Sequence, residues 1–358
     1  MSAKIQKLAE SLCDEYEAAV VISEVNRFYF TGFPSSDGLL LITKSTNYLL
    51  VDFRYGEKAE STANGYEVIV CKSIAESLKD LIIKHNIKQL LFESSRMTVS
   101  MLHYFTEKTN ELSVQFKNDE RLDKLINNLR IIKSADEIEK IEKSQQITDA
   151  AFNHILNFIH PGVIERDIAL EIEFFMRKNG AERVAFDLIT ITGKNTSLPH
   201  GVPGEATVCN GDFVTMDIGA VFEGYHSDMT RTVAVGNVSD EQKEIYEIVL
   251  NAQQNALNNI KSGVSCNDAD SFARKIIDKA GYGDYFGHSV GHGVGLEIHE
   301  EPKVAPKQST ILSKNMIITV EPGIYLPGKF GVRIEDMVCV DTNGIKNLSN
   351  SPKNLIIL

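Results

Sequence analysis

The sequence predicts a mixed α/β (α+β) protein of two domains, a smaller one over residues 1–128 and a larger one over 129–358. Three observations carry this expectation. Short apolar runs alternate with helical patterns through the first of these segments, which is the rhythm of a covered sheet. A highly charged helical stretch, NDERLDKLINNLRIIKSADEIEKIEKSQQ, follows and puts the junction near 120–135. Beyond it, long amphipathic helices lead into strand-like runs that are paired around glycine turns.

In chain order, the first domain is expected to hold helices near 2–13, 54–63, 74–85 and 98–108. Between them lie the strand candidates EAAVVIS, GLLLIT, NYLLVDF, YEVIV and QLLFE, rich in residues that suit a buried pleat. The second domain opens with helices at 134–158 and 164–179. In the first of these, Ile138, Ile141, Ile147 and Phe152 mark an inward stripe. Two further helices, near 240–261 and 267–280, precede the last strands. The letters show no internal repeat.

Composition excludes several classes. With 37 basic and 49 acidic residues the net charge is −12, the wrong sign for a nucleic-acid backbone. No run reaches the ~20 apolar residues of a membrane span, and MSAKIQKLAESLCDEYE lacks the apolar core of a secretion signal, so a cytoplasmic location is expected. Cysteines 13, 71, 209, 266 and 339 are scattered without a paired spacing, which favours reduced thiols.

The chemistry concentrates between Met216 and Asp336. Asp217 and Asp228 lie in TMDIGAVFEGYHSDMTRTV, a β-hairpin pattern turning at Glu223 and Gly224. Glu321 and Glu335 repeat the arrangement in ITVEPGIYLPGKFGVRIEDMVCV, with Pro327, Gly328 and Gly331 as turn punctuation. His292 sits among glycines in GHSVGHGVG. Four carboxylates converging beside an imidazole repel one another unless protons or cations intervene. Two divalent ions would cancel the charge, and a pair roughly 3.5–4 Å apart acidifies a shared water, which is hydrolase chemistry. The glycines at 291, 293 and 295 do not fit a dinucleotide-binding loop, and no H-E-x-x-H zinc helix is present.

These stretches, with SLPHG at His200, GLEIHE at His299, EPGIY and GVRIED, resemble the pita-bread metallopeptidase family that includes aminopeptidase P, prolidase and methionine aminopeptidase. NRFYFTGF and VDFRY resemble the N-terminal domain of the creatinase and prolidase group. Arg130, Lys133 and Glu137 match that group's boundary pattern. The resemblance implies a creatinase-type α/β domain followed by a pita-bread metallopeptidase domain. It implies that Asp217 ligates one metal, that Asp228 and Glu335 bridge both, and that His292 and Glu321 complete the second. It places His200 and His299 in the substrate cleft, His299 beside the developing oxyanion, and His288 at the pocket for the residue after the cut. Arg333 is expected to orient a metal-bound carboxylate, and Tyr325 to hydrogen-bond near the site. Asp336 is expected to be structural, and His85, His103, His154, His160 and His226 ordinary.

The implied activity is hydrolysis of the bond between an N-terminal residue and a following proline, with Glu321 as proton shuttle. Aminopeptidase P is the leading expectation and a dipeptide-only prolidase the alternative. Gly293 stands where aminopeptidase P often carries a bulky aromatic residue. The only candidate for blocking longer peptides is the loop Pro34 to Asp37. A metal-free binding module or a creatinase-like hydrolase is disfavoured by the full ligand set. The oxygen-rich donors suit two Mn²⁺ ions, with Co²⁺ or Zn²⁺ as alternatives. The resemblance also implies a homodimer.

Overall fold

In the computed structural model, which describes residues 3–358, the alternating runs of the first part of the chain form one six-stranded mixed sheet. Its elements are α1 (Ala3–Glu10), β1 (Glu17–Val21), α2 (Glu24–Thr31), β2 (Leu39–Ile42), β3 (Asn47–Val51), α3 (Gly56–Thr62), β4 (Glu67–Val70), α4 (Ile74–Lys84), β5 (Gln89–Phe92), α5 (Val99–Lys108), β6 (Gln115–Lys117) and α6 (Arg121–Arg130). The strand order is β4-β3-β2-β1-β5-β6. Strands β1, β2 and β3 are buried throughout, which explains why they read as continuous apolar runs.

No helix is expected from EVNRFYFT, whose aromatics favour strands. Its ends decide otherwise: Ser23 accepts from the Asn26 N–H, and Gly32 closes the helix in the left-handed region at φ 66°. Asn26 Nδ2 also donates to the buried Glu93 at 2.6 Å, tying α2 to the end of β5.

The described residues divide into two units between Arg130 and Ile131. The second unit begins with α7 (Ala135–Ile155), started by a capping box in which Ser134 and Glu137 satisfy each other's backbone N–H. It continues through α8 (Glu165–Lys178), β7 (Arg183–Val184), β8 (Ile189–Thr192), β9 (Phe213–Ile218), β10 (Ala220–Phe222), β11 (Tyr225–His226) and β12 (Met229–Ala234). There follow α9 (Asp240–Asn259), α10 (Cys266–Lys279), β13 (Gly291–Gly293), β14 (Glu300–Val304), β15 (Ile317–Val320), β16 (Gly323–Leu326), β17 (Phe330–Arg333), β18 (Asp336–Asp341) and β19 (Gly344–Asn347). Two helices leading into strands thus occur twice, an order that the letters did not reveal. The first pair packs its apolar face on β9 and β12 through Phe152, Ile168 and Met216. The second packs on β15 and β18 through Val249, Ala273 and Ile318.

Both carboxylate-bearing segments are hairpins, but each is bent into an outer and an inner strand pair. Strand β9 pairs with β12, placing Asp217 opposite Thr230, while β10 and β11 leave for a separate sheet with β7. Glu223 and Gly224 both take positive φ at its tip, as the tightest hairpin turns require. At the bend, a Cβ on Gly219 would lie 2.1 Å from the Ser227 carbonyl oxygen, so this crossing needs glycine. In the second hairpin β15 pairs with β18, and β16 and β17 form their own ribbon. Gly331 is not part of that turn; it lies in β17, where a Cβ would meet the Thr196 carbonyl oxygen at 2.2 Å.

The bends matter for the chemistry. Asp217 lies on a strand, but Asp228, Glu321 and Glu335 lie in the short links between outer and inner pairs. The hairpin pattern read from the sequence is present in both segments, with three of the four acids at the bends rather than within the strands. A regular pleat sends alternate side chains to opposite faces, whereas a link lets the chain turn a carboxylate inward wherever it is needed. Among the described residues no helix is long and apolar enough to cross a membrane.

Candidate metal centre

The bent hairpins and the glycine-rich strand β13 converge on one buried cluster. Ligand atoms of Asp228, His292 and Glu335 all lie within 4.8 Å of one another. Glu321 adjoins them, its Oε1 3.5 Å from His292 Nε2, the same distance that separates Nε2 from Asp228 Oδ2. Asp217 is not in the tight group of three. Its Oδ2 accepts from Arg333 Nη2 at 2.7 Å, and its Oδ1 is buried without any hydrogen-bond partner.

His292 is oriented by its neighbours. Its Nδ1 lies 3.0 Å from the Gly293 carbonyl oxygen, which can only accept, so Nδ1 carries the proton and Nε2 turns a lone pair toward the carboxylates. Burial pushes its pKa down to about 4, which keeps the ring neutral. A Cβ on Gly291 would lie 2.0 Å from the Thr319 carbonyl oxygen, so β13 approaches β15 closely enough only with glycine there. The Thr319 hydroxyl accepts from His292 N–H and donates to Glu321 Oε1 at 3.3 Å.

The carboxyl groups are far from their ordinary ionisation. Burial, then Glu335, Asp217 and Glu321, raise the pKa of Asp228 well above the usual carboxylate range. Burial, then Glu321 and Asp217, do the same to Glu335. Glu321 is pushed up to about 8, by burial first and by Asp217, with Arg333 opposing. Among the described residues, Arg333 is the guanidinium that pairs with a carboxylate of this group, so the ionised cluster would carry three uncompensated negative charges in a desolvated site. Such a set is stable only if it takes up protons or cations. The unpartnered Asp217 Oδ1, the free lone pair of His292 and the excess of oxygen donors all fit hard or borderline divalent ions.

Arg333 sits at the centre of a supporting network. It donates from Nε to Thr230 Oγ1 at 2.9 Å and from Nη1 to Tyr325 OH at 2.9 Å. Tyr325 in turn faces His288 Nε2 at 2.9 Å, while His288 Nδ1 faces the Ser289 carbonyl. The carbonyl fixes the proton on Nδ1, so Tyr325 donates to Nε2 and its hydroxyl hydrogen is fully engaged. Tyr325 therefore accepts from Arg333 and donates to His288, so that both stand behind the guanidinium. His299 packs edge-on against His292, ring centroids 4.4 Å apart, and reaches solvent, as does His200. Asp336 points away into a buried network with Arg231, Lys353 and Asn347.

Several contributors escaped the sequence reading. Thr230 donates to Glu335 Oε2 at 2.7 Å, and Thr319 bridges His292 and Glu321. Their signal, a threonine two residues from Asp228 and another two residues from Glu321, is too common to stand out. His226, taken as ordinary, ties the first hairpin to the glycine loop: its N–H donates to the Gly295 carbonyl at 2.8 Å, and Arg183 approaches its Nε2 at 3.3 Å.

A mixed α/β chain with a buried carboxylate–histidine cluster built on two bent hairpins is the class of protein that these features define. It belongs to metallopeptidase family M24, whose profile matches residues 139–342, and it is a hydrolase; the creatinase/prolidase N-terminal domain matches residues 4–132. It is 40% identical over 358 residues to an Xaa-Pro dipeptidase of Pyrococcus horikoshii, covering 99% of each chain. Its structure is similar to an Xaa-Pro dipeptidase from Bacillus anthracis, with TM-score 0.95, 43% identity and 99% of each chain covered. It is also similar to an X-Pro aminopeptidase from Thermotoga maritima, with TM-score 0.90, 36% identity, and 96% of this chain and 98% of that one covered. The fold class read from the sequence agrees with these matches.

Proposed function

We propose that this chain is a metal-dependent Xaa-Pro peptidase whose preferred substrates are Xaa-Pro dipeptides. The observation that carries the chemistry is the desolvated cluster of Asp228, Glu321, Glu335 and His292 beside an unpartnered Asp217 oxygen. What supports the substrate is the full-length similarity to proteins named Xaa-Pro dipeptidase, at 40% and 43% identity. The aminopeptidase reading is favoured by the similarity to the Thermotoga maritima protein.

In this reading Asp217, Asp228, His292, Glu321 and Glu335 hold two divalent ions, with Mn²⁺ the best match to a donor set of four carboxylates and one imidazole. Bound there, the ions supply Lewis-acid polarisation of the scissile carbonyl and water acidic enough to react near neutral pH. Glu321 moves the proton, taking it from the attacking water at a carboxylate oxygen and giving it to the proline nitrogen, which has no hydrogen of its own. His299 donates to the carbonyl oxygen as that atom gains negative charge. His200 lines the cleft. Arg333 fixes Asp217, with Tyr325 and His288 behind it. The chain is taken to work as a cytoplasmic homodimer.

Comparing kcat/KM for Ala-Pro, Ala-Pro-Ala and a pentapeptide beginning Ala-Pro tests this. A clear preference for Ala-Pro supports the dipeptidase reading. Efficient cleavage of the longer peptides favours the aminopeptidase reading, and hydrolysis of none of the three rejects both.

A further inference from the structure

The loop that carries His200 runs from β8 across the short 3₁₀ turn Gly193–Ser197 to the segment before β9. Its tip is open to solvent: Leu198 is 54% exposed and Val202 84%. A tip of this kind holds one shape only if its two stems are tied together, since an exposed loop otherwise samples many conformations. The tie is Glu165, the first residue of α8. Its side chain is 1% exposed and takes no part in capping the helix from the Ile164 position.

Glu165 Oε1 accepts from the Thr192 N–H at 2.7 Å and from Asn195 Nδ2 at 2.9 Å, both on the incoming stem. Its Oε2 accepts from the Gly204 N–H at 3.0 Å, on the outgoing stem. One buried carboxylate therefore joins both sides of the loop with three charge-assisted bonds, the stronger kind. The backbone repeats the connection, because Glu165 N–H donates to the Ala206 carbonyl and Arg166 N–H to that of Gly204. The far side of the loop meets the metal hairpins, where Gly331 N–H donates to Thr196 Oγ1 and Arg333 Nη1 to the Pro199 carbonyl.

We infer that Glu165 is a positioning residue for substrate, acting through the loop that presents His200, although it lies outside the metal cluster. This rests on the reading of His200 as a cleft residue. A glutamine at 165 keeps the size but offers one accepting oxygen and one NH₂ group. Whichever way the amide is turned, an NH₂ faces an N–H donor and one stem loses its side-chain tie. An aspartate is one methylene short of spanning both stems.

The test is a double-mutant cycle on Xaa-Pro hydrolysis. Glu165→Gln should lower kcat/KM on the order of 10²-fold, the scale of misplacing a positioning group by about 1 Å, with metal content unchanged. Asn195→Ala, which removes one donor and leaves α8 untouched, should produce a smaller fall in the same direction and keeps the test available if Glu165→Gln folds poorly. In a His200→Ala background neither change should lower kcat/KM further. A supporting role unrelated to His200 predicts additive losses instead, and additivity, or full activity in both single variants, overturns the inference. If His200→Ala is itself fully active, the cleft reading of His200 fails and the inference falls with it; if His200→Ala is impaired and the losses add, only the inference fails.

Discussion

Replacing Arg231 by methionine should destabilise the second unit more than any single surface change, although Arg231 touches neither substrate nor the carboxylate oxygens of the cluster. Its guanidinium is 1% exposed and makes five hydrogen bonds. Nη2 donates to Asp336 Oδ1 at 2.7 Å and to the Ser351 carbonyl at 2.8 Å, and Nε to the Pro352 carbonyl at 2.9 Å. Nη1 donates to the Thr230 carbonyl at 2.9 Å and, in a short contact, to that of Glu335. Burial works to raise the pKa of Asp336, but Arg231 and Lys353 outweigh it and hold the carboxyl below its ordinary range. Removing one partner of a buried pair costs about 3–5 kcal/mol. Lys353 stays 2.7 Å from Asp336 on a partly exposed stem, so the lower end, about 3 kcal/mol, is expected. For a unit of this size that is a fall in Tm of about 6–12 °C. Circular dichroism melts of chelator-treated protein would read it without stabilisation by bound metal. A fall of under about 2 °C would refute the reasoning, because it would mean that Asp336 and the carbonyls of Thr230, Glu335, Ser351 and Pro352 are satisfied without the guanidinium.

Other perturbations address the centre and the thiols. Asp228→Asn and Glu335→Gln should each cost at least one bound ion per chain by elemental analysis, and retention of full metal content in either would count against its assignment as a bridge. His299→Ala should lower kcat by about 10²-fold while leaving metal content intact; loss of metal with turnover recovered on replenishment would make it a ligand instead. Burial pushes the Cys266 thiol up to about 11 and raises that of Cys339, whereas Cys13 and Cys209 are exposed. A thiol reagent at pH 8 should therefore modify Cys13 and Cys209 first, and Cys266 and Cys339 only on unfolding. Rapid modification of Cys266 in the native protein would contradict its burial.

The helices were legible because their signals are local. Ser134 with Glu137, and Ser239 with Gln242, announce two long helices three residues ahead, and the apolar spacing extends them. Helix α2 was hidden because aromatic residues carry strand propensity, and only its caps decide for a helix. The acids of the site could be picked out by type and glycine context, but the bends that present them could not. Whether Gly219 is a turn or a crossing depends on Ser227, and the role of Gly331 depends on Thr196, a residue far away in sequence. The same applies to Tyr325 and His288. Both were placed near the site by pattern, yet what their polar atoms bond to is fixed by Arg333 and a backbone carbonyl.

The most direct measurement is metal content read against turnover on the same sample. Protein dialysed against a chelator and then titrated with Mn²⁺ should take up two ions per chain, with Ala-Pro hydrolysis absent before titration and recovered as the ions bind. Full hydrolysis by metal-free protein, or uptake of Mn²⁺ undiminished when Asp228, Glu321 and Glu335 are all replaced by their amides, would contradict a metal-dependent centre at this cluster.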